Sequence, residues 1–236
     1  MIPAVTVAEM REVDRAMVED MGIELIQMME NAGRCLAQHV RAELGGGVQG
    51  TRVVVLAGRG GNGGGGLAAA RRLVIWGAEV AVLLAHDARS ILGVPGHQLA
   101  ILNRMGVTVL GPDRPYAAAL HDAGHVIDAL IGYSLAGTPT GRVAELIVAA
   151  NSSGHRITSL DLPSGLQADD GTASDPTIRA TTTLTLALPK AGLLRREAAA
   201  HVGRLYLADI SVPPLVYRRM GVSTGNLFRT SDIVPV

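Results

Sequence analysis

Short β-branched apolar runs, each followed by a turn and then by a stretch of helical period, predict an α/β fold. The expected form is a three-layer α/β/α sandwich around a mostly parallel central sheet. Two further observations support it. Apolar residues make up 48% of the chain, and with one Trp, one Phe and four Tyr the core must be filled by Ala, Val, Leu and Ile. No composition break or internal repeat divides the 236 residues. Residues 1–236 are therefore expected as a single domain, with N-terminal helices over 7–44, an α/β core over 51–213 and a tail over 214–236.

The elements follow in order. Thr6 and Glu9 fit a capping box that opens a helix to about Met21, ended by Gly22. A second helix over 24–44 places Leu25, Met28, Met29, Ala32, Leu36 and Val40 on one face, and Gly33 within it marks a close neighbour. Its methionines are read as core. Residues 53–57 form a buried strand, and seven of the nine residues from Gly58 to Gly66 are glycine. A helix over 63–76 follows, then a strand over 79–85, a helix over 95–105 and a strand over 107–110. A short helix over 117–122 leads to a strand over 128's neighbourhood, 125–130, and a Gly/Ser/Pro-rich loop to 141. Next come a helix over 142–151, a strand over 156–160, a Thr/Leu-alternating strand over 181–188 and a last strand over 204–208. The tail from Val212 carries no clear period.

Several function classes are disfavoured. Lys and Arg total 21 against 21 Asp and Glu, with no basic stripe of the kind that nucleic acid requires. The single cysteine, Cys35, forms no disulfide framework within the chain. No apolar run reaches membrane-spanning length and no secretory leader is visible, so a cytoplasmic protein is expected. Six of the seven histidines (His86, His97, His121, His125, His155 and His201) show no paired zinc-ligand spacing and are assigned to the surface or to structure.

In a parallel sheet of this kind ligands bind beyond the carboxyl ends of the strands. The stretches to inspect are thus 58–66, 86–89, 128–138, 161–166 and 189–192. The glycines after the first strand suit close approach of an anion to backbone N–H groups at a helix start. Gly58-Arg59-Gly60-Gly61-Asn62-Gly63 matches the dinucleotide pattern G-x-G-x-x-G, and the absence of a following Lys excludes a Walker A loop. Asp87 stands near the position of a ribose-binding acid. Asp128 and Asp161 each sit where a strand meets its loop. They are either turn caps or site carboxylates, and either one is placed to move a proton. Asn62, Asp128 and Ser164 form a candidate set of hard oxygen ligands for an alkali or alkaline-earth cation. Lys190 is read either as a phosphate contact or as a side chain that snorkels.

Asp128-Ala-Leu-Ile-Gly, Asp161-Leu-Pro-Ser-Gly-Leu, Asp170-Gly and Lys190-Ala-Gly-Leu occur in the order seen in the YjeF N-terminal domain family. Met29-Glu-Asn-Ala-Gly33 resembles that family's second helix, and Ala208-Asp-Ile210 its last strand. The match spans roughly residues 7 to 213 and implies a Rossmann-like fold. It also implies an isomerase, NAD(P)H-hydrate epimerase, which interconverts the R and S epimers of hydrated NADH or NADPH bearing a hydroxyl at nicotinamide C6. By resemblance the cofactor is a potassium ion held by Asn62, Asp128 and Ser164. The substrate positions become Gly61, Asn62, Gly63, Gly64 and Gly65; Gly132, Tyr133, Ser134, Leu135, Ala136, Gly137 and Thr138; and Asp161 with Lys190. Asp161 is the expected proton carrier, and Asp161→Asn is expected to abolish catalysis while sparing the fold. A homodimer is expected, with a separate NAD(P)HX dehydratase acting downstream. The family loop reads N-N-G-G-D-G where this chain has Gly61-Asn62-Gly63-Gly64-Gly65-Gly66, so its first Asn and its Asp are both glycine here. The other reading is a catalytically weakened or inactive nucleotide-binding or scaffold module of the same fold.

Overall fold

The computed structural model describes residues 2–236. Eight strands form one sheet in the order β3-β2-β1-β4-β5-β6-β7-β8. They are β1 (Arg52–Ala57), β2 (Glu79–Leu84), β3 (Thr108–Leu110), β4 (His125–Ala129), β5 (Ile157–Leu160), β6 (Thr182–Leu186), β7 (Arg204–Ala208) and β8 (Ile233–Pro235). All neighbouring pairs are parallel except β7 and β8. The strand order reverses between β1 and β4, where two successive crossovers go opposite ways and leave a crevice at the carboxyl ends.

Alternate residues of β1 feed two cores, as the two-residue period of a strand buried on both faces requires. Val53, Val55 and Ala57 pack toward α2 (Leu25–Glu43), α3 (Gly61–Ile75) and α4 (Gly93–Arg104). Val54 and Leu56 pack on the other face toward α5 (Ala117–His121) and α6 (Gly141–Ser152). The three-layer α/β/α expectation holds. Gly33 of α2 lies so close to α3 that an added Cβ would stand 2.5 Å from that of Ala68, which explains the glycine within a helical face.

Val5 and the helix after it are tied to the segment that follows β6 at the sheet's carboxyl end. The expected capping box is present, with the Glu9 N–H bonding Thr6 Oγ1 and the Thr6 N–H bonding the Glu9 carboxylate, and it opens α1 (Val7–Arg15). A five-residue π-helical turn, Ala16–Asp20, continues it. Before the helix, the Val5 N–H donates to Pro189 O and Ala191 N–H donates to Val5 O, both at 2.9 Å, so α1 is docked beside Lys190.

Three expectations change. The glycine-rich stretch is helical from Gly61 onward, not from Gly63, with Gly63 to Gly66 packed against their neighbours. Arg204–Ala208 is not the last strand. The tail forms α8 (Pro214–Arg219) and then β8, which is too short to carry a period and is defined by its antiparallel partner. His39 on α2 and His125 on β4 are buried against the sheet, bonded to Thr182 and Thr158 at 2.9 Å, and burial pushes His125 down to about 4. No helix of the described residues is long and apolar enough to cross a membrane.

Candidate active site

A cavity of about 610 Å³ opens over the strand ends at the switch point. Its walls come from Arg59 to Asn62 after β1, Leu130 to Ala136 after β4, Asp161 after β5 and Lys190 after β6. Met10 and Asp14 of α1 and Leu25, Met28 and Met29 of α2 close the remaining side. Gly60 caps α3 without a side chain, and the first bond of the helix runs from Gly64 N–H to Gly60 O at 3.0 Å. The N–H groups of Gly61, Asn62 and Gly63 therefore lie at the positive end of a fifteen-residue helix with no intrahelical acceptor.

Asp161 is held rigidly. It adopts φ +68°, and Leu162 N–H donates back to Leu160 O at 2.9 Å, so β5 ends in a γ-turn centred on the aspartate. Ala187 repeats the device at the end of β6, with φ +64° and Leu188 N–H donating to Leu186 O at 2.7 Å. These two tight turns aim Asp161 and Lys190 at each other. A side chain in the left-handed region costs on the order of 1–3 kcal/mol, and the surrounding bonds offset it. Lys190 Nζ donates to Asp161 Oδ1 and, at 2.9 Å, to Leu186 O. The Tyr133 backbone N–H donates to Asp161 Oδ2 at 3.2 Å. Lys190 is 1% exposed and Asp161 3%, so this is a buried ion pair. Lys190 does not snorkel to solvent, because its buried ammonium takes the Asp161 carboxylate as partner. For the same reason Asp161→Asn would leave Lys190 buried without its counter-charge.

The Tyr133 hydroxyl reaches the other way and donates to Asp14 Oδ2, while its ring lies 5.7 Å from Lys190 Nζ. Burial pushes the Asp14 carboxyl above its ordinary value, opposed by the Tyr133 bond and by Lys190. Burial likewise pushes the Tyr133 phenol up.

Asp128 has a different setting. It is fully buried below the cavity and is not part of the wall. Its Oδ1 accepts from Ser164 Oγ at 2.6 Å and Leu130 N–H at 3.2 Å; its Oδ2 accepts from Ser159 Oγ at 2.8 Å and Ser164 N–H at 2.9 Å. Every donor is neutral, and burial pushes the carboxyl up with no charged neighbour opposing it. Ser164 Oγ also accepts from Ile131 N–H at 2.9 Å. Asn62 stands apart, its Nδ2 buried and without a hydrogen-bond partner among the described residues. A Cβ on Gly132 would lie 3.1 Å from Asp161 Oδ2 and 3.4 Å from Asn62 Oδ1, so Gly132 separates the two side chains. No group of three or more His, Cys, Asp or Glu is gathered for a metal among the described residues.

Of the substrate positions expected from sequence, Gly61, Asn62, Gly65, Gly132, Tyr133, Ser134, Leu135, Ala136, Thr138, Asp161 and Lys190 line the cavity. Gly63, Gly64 and Gly137 do not. An added Cβ on Gly63 would strike the Gly58 carbonyl, and one on Gly64 would meet the Met29 side chain at 2.5 Å, so these glycines serve packing. Asp87 caps the 88–90 turn and pairs with Arg89 instead of facing the cavity. Sequence reasoning missed Asp14, and it assigned His86 to surface or structure although that ring lines the cavity. Position at the end of β2 was the available signal for His86. Nothing local distinguishes Asp14 from any helix-surface acid. Met28 and Met29 are core, as expected, and line the cavity as well.

The family model described as YjeF-related protein N-terminus matches residues 25–192. A protein named NAD(P)H-hydrate epimerase from Dehalogenimonas lykanthroporepellens is 48% identical over 94% of this chain and 87% of its own length. A bifunctional NAD(P)H-hydrate repair enzyme from Moorella thermoacetica is 39% identical over 89% of this chain, and the match spans 40% of that longer protein. The crystal structure of the yeast protein ynu0 is similar with a TM-score of 0.86 at 25% identity, covering 100% of both chains.

Proposed function

The chain belongs to the YjeF-related N-terminal family, and from that premise we propose that it is an NAD(P)H-hydrate epimerase, an isomerase of the R and S epimers of hydrated NADH and NADPH. The observation that carries this reading is the near full-length similarity to a protein of that name. The cavity gives the reading its chemistry. Its volume suits much of a dinucleotide, and its unpaired N–H groups at the start of α3 suit a phosphate. Asp161, fixed by Lys190, is a proton carrier in the exchange of the C6 hydroxyl. Gly61, Asn62, Gly65, Gly132, Tyr133 to Ala136 and Thr138 bind the substrate. The side chains of Met10, Met28 and Met29 give the cavity an apolar wall.

The residues present fit a potassium ion. Asp128 is a buried carboxylate with only neutral donors around it, so a monovalent cation would supply the charge it lacks. Asn62, Asp128 and Ser164 would hold it with hard oxygens, and when bound it would neutralise Asp128 and order the 130–132 and 161–164 loops. A homodimer, a cytoplasmic location and a dehydratase that consumes the S epimer complete the proposal. The whole span 1–236 acts as one domain.

The test incubates the purified chain with the R epimer of hydrated NADH and an S-specific dehydratase. Consumption of the R epimer faster than in the dehydratase-only control is the expected result. Equal rates, with nucleotide still bound, would favour the non-catalytic module, which Gly61 and Gly65 support by lining the cavity without side chains.

A further inference from the structure

Inversion of C6 by loss and return of its hydroxyl breaks the C–O bond on one face of the ring and forms it on the other. The departing oxygen needs a proton, and the incoming water must lose one. Asp161 cannot serve both faces by swinging round the ring. Its Oδ1 is held by Lys190, and its Oδ2 by the Tyr133 N–H at 3.2 Å, on a γ-turn that fixes its backbone. A second proton carrier must come from another wall of the cavity.

The titratable side chains on the cavity wall besides Asp161 are Asp14, Arg59, His86, Tyr133 and Lys190. Lys190 is 1% exposed and committed to Asp161. Arg59 does not release a proton near neutral pH. His86 lies at the end of β2, across β1 from β4 and β5, with a neighbouring Arg59 charge. Asp14 comes from α1, an element separate from the sheet, and the Tyr133 hydroxyl fixes its carboxylate beside Asp161.

We infer that Asp14, held by the Tyr133 hydroxyl, is the acid that works against Asp161 as base. The inference rests on the epimerase reading. In one direction the Asp14 proton passes to the C6 hydroxyl oxygen, and the C6–O bond breaks with its electron pair leaving on water. The lone pair of the adjacent ring nitrogen then forms a C6–N double bond. Water adds to the opposite face of C6, the π pair returns to nitrogen, and the proton released by that water passes to Asp161. Reverse passage, or proton exchange with solvent through the open cavity, restores both carboxyls. Two carboxyls in contrasting environments suit opposite roles. Burial favours the protonated form of Asp14, and the groups facing it are Tyr133, Lys190, Asp161 and, from α8, Tyr217.

The experiment measures kcat and KM for epimer interconversion across pH with wild-type chain, Asp14→Asn and Tyr133→Phe. A general acid must be protonated, so wild-type kcat falls as pH rises through the Asp14 transition. Asp14→Asn is expected to lower kcat by about 100-fold or more, with KM within about two-fold, and to remove that alkaline limb. Tyr133→Phe removes a hydrogen bond that favours the carboxylate, so the limb moves to higher pH. Wild-type kcat in Asp14→Asn, or a limb that stays put or moves to lower pH in Tyr133→Phe, overturns the inference alone. Should Asp14→Asn fail to fold, the Tyr133→Phe profile decides. A wild-type chain with no interconversion overturns the epimerase reading and this inference with it.

Discussion

Asp128 and Asp161 look alike from the sequence, each an aspartate at the carboxyl end of a buried parallel strand. Their surroundings are opposite. Asp128 takes four hydrogen bonds from neutral hydroxyl and amide donors beneath the cavity and meets no cation. Asp161 takes a buried ammonium and stands in the cavity wall on a strained turn. One is built to stay in place and to want a positive charge; the other already has one and faces the reaction. A strand-end position identifies a site carboxylate without saying which of these jobs it does.

The largest effect that would sharpen this contrast is expected at Asp161. Asp161→Asn should lower kcat by about 100-fold or more. It should also cost about 3–5 kcal/mol of stability, because it leaves a buried charge unpaired. Adding Lys190→Met should restore most of the stability in urea unfolding and none of the activity. A single variant as stable as wild type would break the description of the pair.

Asp128→Asn should cost less, about 1–3 kcal/mol, since its amide nitrogen would face donors in place of an acceptor. Here the contrast also predicts an ion effect. Potassium chloride should raise the wild-type melting temperature above that in choline chloride at equal ionic strength, and this gain should vanish in Asp128→Asn. Equal melting in both salts removes the cation from the site.

The smallest effect concerns the glycine that separates this loop from the family pattern. A Cβ on Gly65 would stand 2.8 Å from Leu160 Cδ2, the end of a flexible side chain immediately before Asp161. Gly65→Asp alone should therefore destabilise by about 1–3 kcal/mol through overpacking. In a Leu160→Val background the penalty should shrink, read as favourable coupling in a double-mutant cycle. Additive penalties would mean that Leu160 is not what fills that space.

Much of the fold was legible because buried parallel strands announce themselves as apolar runs bounded by turns. β1, β2, β4 and β7 fall within about a residue or two of their expected bounds. The glycine-rich stretch was harder. Glycine has poor helix propensity, yet residues 61–66 are helical because α3 packs closely on its neighbours, with a Cβ on Gly66 reaching 2.5 Å from that of Ala129. The strand-end rule located Asn62, Tyr133, Asp161 and Lys190, since topology alone gathers strand ends. It was silent on Asp14, which lies on a helix outside the sheet.

The sequence by itself determined the layer order, the cavity's place at the switch point and the residue types available there, because these follow from periodicity and chain connection. The tertiary structure decided the partners. Only the docking of Val5 beside Pro189 and Ala191 brings Asp14 to Tyr133, and only the γ-turns after β5 and β6 turn Lys190 inward onto Asp161. Such pairings join residues more than a hundred or some thirty positions apart, and local pattern carries no information about contacts made across that distance.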